Sequence, residues 1–157
     1  MVFVEGAADR CLLTILGVPC RQVRIENGRD RVLGRLRTSS SVVGMVDEDP
    51  GSKPSRDLGN YRQVEADKGL RLLIRQGSGQ RLIVLCPRLE DWLIQQAKSS
   101  EIRPEDFGLS GNPRRLHGIP HYEDTAGFRR FVEELIKQNA RGIGLLREWV
   151  TGEAGPA

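Results

Sequence analysis

The run Val2-Phe3-Val4-Glu5-Gly6-Ala7-Ala8-Asp9 changes its hydrophobic period within a few residues. Met1 to Val4 is a short apolar segment stopped by Glu5-Gly6, and from Ala7 to Leu16 the apolar residues Cys11, Leu12, Ile15 and Leu16 recur at helical spacing. This reads as a strand, a tight turn and a helix. Gly17 and Pro19 close that helix, Gln22 to Ile25 forms a second strand, and Arg29 to Leu36 presents Val32, Leu33 and Leu36 on one helical face. A third strand, Ser41 to Val46, runs directly into Asp47-Glu48-Asp49-Pro50-Gly51. The alternation β-α-β-α-β predicts a parallel sheet with right-handed crossovers.

Beyond this half, Pro50 to Gly59 is rich in Pro, Gly and Ser and reads as a surface loop. Strands are expected over 61–66, 70–75 and 81–85, the last two joined as a hairpin through Gly77-Ser78-Gly79. A helix starts near Pro87, with proline at its first position and Leu89, Trp92, Leu93 and Ala97 as its buried stripe. Pro104, Pro113 and Pro120 break up 99–123. Phe128, Phe131, Val132, Leu135 and Ile136 define another helix, with Glu133 and Lys137 paired on its outer face, and Leu145, Leu146, Trp149 and Val150 define a last one. The expected architecture is one α/β domain over 1–150, with a mostly parallel, Rossmann-like sheet flanked by helices in 1–97. A helical C-terminal part fills 98–150, and 151–157 is a disordered tail rich in Gly and Ala. No internal repeat is present.

A chain of 157 residues is long enough to bury a core without disulfides or structural metal. No apolar run approaches the ~20 residues that cross a bilayer, and the first residues lack the pattern of a secretory signal, so a cytoplasmic protein is expected. Cys11, Cys20 and Cys86 are odd in number and lack Cys-x-x-Cys spacing, which argues for buried thiols over a disulfide framework or zinc knuckle. The net charge of +3 is carried mostly by Arg, a residue suited to bidentate phosphate contacts, and permits nucleic-acid binding without requiring it.

Both acidic motifs fall at the carboxyl ends of predicted parallel strands, where open α/β sheets bind ligands. Neighbouring strands lie ~4.8 Å apart, so Glu5, Asp47 and Asp49 can converge on one divalent metal. In an extended backbone Asp47 and Asp49 share a side while Glu48 turns away. Carboxylates without His or Cys suit Mg²⁺ or Mn²⁺ better than zinc, and such an ion polarises a phosphoryl oxygen or activates a water. Without metal the clustered carboxylates raise one another's pKa. A plainer reading makes Glu5 a partner of the following helix and Asp47 to Asp49 ordinary turn-forming acids.

Val2-Phe3-Val4-Glu5-Gly6-Ala7-Ala8-Asp9, followed by Val42-Val43-Gly44-Met45-Val46-Asp47-Glu48-Asp49, resembles the two halves of a Toprim domain over roughly residues 1 to 97. In that family a hydrophobic strand ends in Glu-Gly and a second ends in Asp-x-Asp. The resemblance implies Asp47 and Asp49 as magnesium ligands and Glu5 as a ligand or a general acid/base. Cys86-Pro87-Arg88-Leu89-Glu90-Asp91-Trp92-Leu93 is similar to the Pro-x-x-Glu-x-Trp-Leu segment of stand-alone RloB-like and OLD-family nuclease Toprim proteins, which implies Glu90 as a further catalytic acid. A helix-dipole role for Glu90 stands beside that implication.

The resemblance implies a Mg²⁺-dependent protein that cleaves nucleic-acid phosphodiesters, DNA or RNA, in phage defence or DNA repair. An accessory, non-catalytic Toprim subunit is the alternative. Without a phosphate-binding P-loop, any ATPase partner is expected on another chain; a homo-oligomer stays open, and no membrane partner is expected. Lys53, after the Asp-x-Asp motif, is a candidate catalytic cation, and Arg56, Arg114 and Arg115 are candidate nucleic-acid contacts. For each, a solvated surface charge is the simpler reading. Asp9 sits either at the metal or in the first turn of its helix. Gly118 and Pro120 argue against a helix, and against a paired metal site, spanning His117 and His121.

Overall fold

The computed structural model describes residues 1–152. Three short strands, β1 (Val2–Val4), β2 (Val23–Ile25) and β3 (Val43–Asp47), alternate with α1 (Ala7–Ile15) and α2 (Arg29–Thr38). Then β4 (Tyr61–Asp67), β5 (Leu70–Arg75) and β6 (Arg81–Leu85) follow one another without an intervening helix. The six strands form one sheet in the order β2-β1-β3-β6-β5-β4. Neighbours from β2 to β6 are parallel, whereas β6, β5 and β4 are antiparallel. The sheet is therefore mixed, and the expectation of a mostly parallel one holds only for the half that carries the acidic motifs.

The reason lies in the connections. Parallel neighbours need a crossover of a dozen or more residues, whereas hairpins need only a tight turn. β4 and β5 are joined by Lys68-Gly69, with φ of 52° and 75°, the left-handed pair that suits a two-residue hairpin. A side chain at Gly69 would also meet Trp92, whose indole N–H donates to the Lys68 carbonyl at 2.9 Å.

Alternation along the strands divides the core between the two faces of the sheet. Val2, Val4, Val43, Met45, Ile83 and Leu85 join α1 and the C-terminal helices, while Phe3, Val46, Leu82 and Val84 pack with Val32, Leu33 and Leu36 of α2. Helices α1 and α2 thus lie on opposite faces. Because β2 and β3 flank β1, the strand order reverses between β1 and β3, which is where an open sheet forms its ligand crevice.

Helix α3 (Leu89–Ser99) begins two residues later than Pro87 suggests, because Arg88 is extended and acts as its N-cap. Its stripe Leu89, Trp92, Leu93 and Ala97 is buried. The segment 99–123 is not wholly irregular: it contains α4 (Pro113–His117), started by Pro113 and capped by Asn112, whose side-chain oxygen accepts from Arg115 N–H at 3.1 Å. Helices α5 (Ala126–Lys137) and α6 (Arg141–Thr151) complete the fold. Glu133 pairs with Arg129 at 3.6 Å rather than with Lys137. Thr151 closes α6, so the expected tail does not begin there, and the remainder of it, 153–157, lies outside the described residues. Cys11 and Cys86 are half-buried and Cys20 is exposed, which corrects the expectation of buried thiols. Among the described residues no helix is long and apolar enough to cross a membrane.

Candidate functional site

The parallel register places the ends of β1 and β3 side by side, with Val4 opposite Met45. Glu5 leaves β1 and its Oε1 accepts the backbone N–H of Asp47 at 3.1 Å. Asp47 in turn accepts the N–H of Leu89 at 3.0 Å, which ties the end of β3 to the first turn of α3. Asp9, only 8% exposed, accepts the N–H of Gly6 at 2.9 Å through Oδ2, closing the turn between β1 and α1. These carboxylates receive backbone donors, as acids at helix starts do.

Their electrostatics exceed what capping requires. Burial pushes the Asp47 carboxyl up to about 8, with the charges of Asp9, Glu5 and Glu90 adding to it. Burial likewise raises Asp9 to about 7 against the hydrogen bond from Gly6, helped by Glu5 and Glu90. Glu5 is raised by burial, opposed by the Asp47 N–H and by Arg29. Burial and mutual repulsion disfavour ionising these carboxyls, a penalty that a bound cation would relieve.

Asp49 departs from the expected geometry. Its φ of 44° takes the chain out of the extended conformation after Asp47, so the rule that alternate residues share a side no longer applies. Instead, Asp49 Oδ1 lies 3.1 Å from Nη2 of Arg88. Glu48 does turn away, toward Arg71 at 3.5 Å. A cleft of about 480 Å³ opens over Glu5, Asp47 and Asp49, with Arg29, Arg88 and His117 on its walls. Arg29 is fixed there by donating to the carbonyls of Glu48 and Lys53 at 3.1 and 2.7 Å.

Glu90 lies behind this cleft, in the first turn of α3, and is 6% exposed. Tyr122 donates its hydroxyl to Oε1 at 2.9 Å, and Nδ1 of His117 lies 3.2 Å from the same oxygen. Oε2 is buried without a partner. Arg29, Arg88, His117 and Tyr122 are the residues that sequence reasoning left outside the site or gave other roles. Asp9 was already weighed at the metal, through its position after Glu5-Gly6.

Lys53 and Arg56 line a separate hollow with Arg37 and Asp57, and Lys53 is not on the wall of the carboxylate cleft. Arg114 and Arg115 are exposed on α4, close in sequence to the cleft residue His117. Helix α4 ends at His117, and the two histidines face different acids: His121 lies 4.0 Å from Glu123 and 3.8 Å from Asp124.

An all-oxygen, acceptor-only set with an orphaned buried oxygen fits a hard divalent cation. The three expected metal ligands do not close on one another: among the described residues, the one His, Cys, Asp or Glu grouping with ligand atoms mutually within 4.8 Å is His121, Glu123 and Asp124. That surface trio has no orphaned buried acceptor, and Glu123 and Asp124 are ordinary acids of a short turn.

Fold and site together define an α/β chain with a carboxylate cleft at the reversal point of a mixed sheet. No family model matches the chain, and neither a curated protein nor a solved structure does.

Proposed function

We propose that this is a Toprim-type protein that cleaves nucleic-acid phosphodiesters with Mg²⁺ or Mn²⁺ held at Glu5 and Asp47. The observation that carries the reading is the placement of Glu5 and Asp47 at the neighbouring ends of β1 and β3, tied by the 3.1 Å hydrogen bond, with the charges of Asp9 and Glu90 bearing on Asp47. A divalent ion bound there would polarise the phosphoryl oxygen and supply a nucleophilic water. Glu5 and Asp47 provide negative charge for the ion, while Arg88 and Arg29 give the cleft wall positive charge for the phosphate. Asp49 joins the site as the partner that fixes Arg88. Lys53 lies outside the cleft, so its proposed catalytic role passes to these arginines. Arg114 and Arg115, exposed on α4 close in sequence to the cleft residue His117, would contact the strand where it leaves the cleft.

The test is cleavage of labelled DNA and RNA oligonucleotides with Mg²⁺, Mn²⁺ or EDTA, by the wild-type chain and an Asp47→Asn variant. Metal-dependent cutting that drops at least a hundredfold in the variant supports the reading. Equal cutting by both proteins removes it. Metal binding without cutting would instead favour the accessory-subunit role.

A further inference from the structure

The C-terminal helical part enters the candidate site through Tyr122 and His117, and their contacts with Glu90 are lopsided. Both address Oε1 of Glu90, at 2.9 and 3.2 Å, while Oε2 is buried with no partner. A buried acceptor left without a donor is destabilising, and more so when charged. A glutamate serving only to bond Tyr122 would gain nothing from this arrangement. The orphaned oxygen belongs to a residue whose charge bears on both Asp9 and Asp47.

Tyr122 is also held from outside α3. Tyr122 is 5% exposed, and its ring meets Phe128 of α5 edge-on at 5.4 Å. Thr125 donates to the Tyr122 carbonyl at 2.8 Å and accepts the N–H of Phe128 at 3.2 Å, so the N-cap of α5 also fixes the tyrosine backbone. Leu116, beside His117, is fully buried. Leu116, Tyr122 and Phe128 share one core with Val4 of β1 and Met45 of β3, so the clamp ties the C-terminal part to the strands that carry the acidic motifs.

We propose that Tyr122, assisted by His117, is a positioning residue that holds Oε1 of Glu90 so that Oε2 is presented to a divalent cation shared with Asp47. This rests on the cation reading above. It assigns residues 112–125 the task of completing the metal centre. Outer partners of this kind orient ligating groups, and their loss typically lowers metal affinity about 10–100-fold.

The experiment measures Mn²⁺ affinity by titration calorimetry, and the Mn²⁺ spectrum by electron paramagnetic resonance, on the full chain. The proteins are wild type, Tyr122→Phe, His117→Ala, Glu90→Gln and Asp47→Asn, each checked for cooperative thermal unfolding. Tyr122→Phe is expected to stay folded, to bind Mn²⁺ about tenfold more weakly, and to alter the spectrum. Wild-type affinity and spectrum in Tyr122→Phe, beside weakened binding in Glu90→Gln, would overturn the positioning role. No loss in Glu90→Gln, with a clear loss in Asp47→Asn, would overturn it too while leaving the cation reading intact. No uptake by wild type, or no effect of Asp47→Asn, would remove both. If Tyr122→Phe does not fold, His117→Ala decides: its side chain is 56% exposed, so its loss leaves the core untouched, and weaker binding supports the proposal while unchanged binding overturns it.

Discussion

Glu5 Oε1 accepts the backbone N–H of Asp47 at 3.1 Å, joining residues that end neighbouring parallel strands. The contact separates two roles of one carboxylate. Glu5→Gln keeps an acceptor for that N–H but removes the charge, so its urea midpoint should stay near wild type while metal-dependent cleavage falls at least a hundredfold. Glu5→Ala removes both and should also lose about 1 kcal/mol of stability, the usual worth of a hydrogen bond. If Glu5→Gln cleaved normally, Glu5 would be only a strand tie.

Stability without metal should fall as pH rises. Asp9 and Asp47 are held at about 7 and about 8, above their ordinary value of 3.8, mainly by burial. An acid whose pKa is raised by folding binds more protons in the native state across that interval. Its stabilising contribution is therefore full below about pH 4 and is lost progressively up to pH 7–8. Thermal unfolding in EDTA between pH 5 and pH 8.5 should show a declining midpoint, and Mg²⁺ should restore it most at the alkaline end. A decline with pH in wild type that is lost in the Asp9→Asn/Asp47→Asn variant would assign the effect to these two groups; identical profiles would remove that assignment.

Cleft cations should be felt as salt dependence. Arg88 and Asp49 are each 41% exposed, and a pair this open contributes at most about 1 kcal/mol to stability. Arg88→Ala should therefore melt close to wild type, yet weaken oligonucleotide binding and make the log-affinity against log-salt plot shallower by about one unit for each phosphate that Arg88 neutralises. Arg56→Ala, in the separate hollow, should leave binding nearly unchanged if the strand passes over α4. The reverse order of effects would move the nucleic-acid path to the hollow beside Lys53.

The first half of the fold was legible because each change of hydrophobic period there coincides with Gly, Pro or an acidic pair. Val4-Glu5-Gly6 and Val46-Asp47 mark their strand ends directly. The path of Asp49 was not legible. Its left-handed backbone is held by contacts from a distant segment, with Glu48 N–H on the Leu85 carbonyl at 2.8 Å and Asp49 N–H on the Pro87 carbonyl at 2.9 Å. Local sequence also marks Glu90 as a first-turn acid but says nothing of Tyr122, which is 32 residues away. The direction of β4 and β5 depends on hairpin pairing, so the alternation seen in the first half could not be extended to the second.

Gly44 offers a test that links the core to the cleft. A Cβ added there would lie 2.8 Å from Leu36 Cδ1, 2.9 Å from Val32 Cγ1 and 3.1 Å from Leu82 Cδ1. All three residues are fully buried, so none can swing into solvent to make room. Helix α2 must then move off β3, and Gly44→Ala should cost about 1–3 kcal/mol, the usual range for overpacking a filled core. The same movement shifts Arg29, at the start of α2, from the carbonyls of Glu48 and Lys53. Mn²⁺ or oligonucleotide affinity should therefore fall along with the urea midpoint. Val32→Ala in the Gly44→Ala background opens space beside the new methyl and should recover part of both losses. If that second substitution only added to the destabilisation, the close approach of α2 to β3 would not be what Gly44 permits.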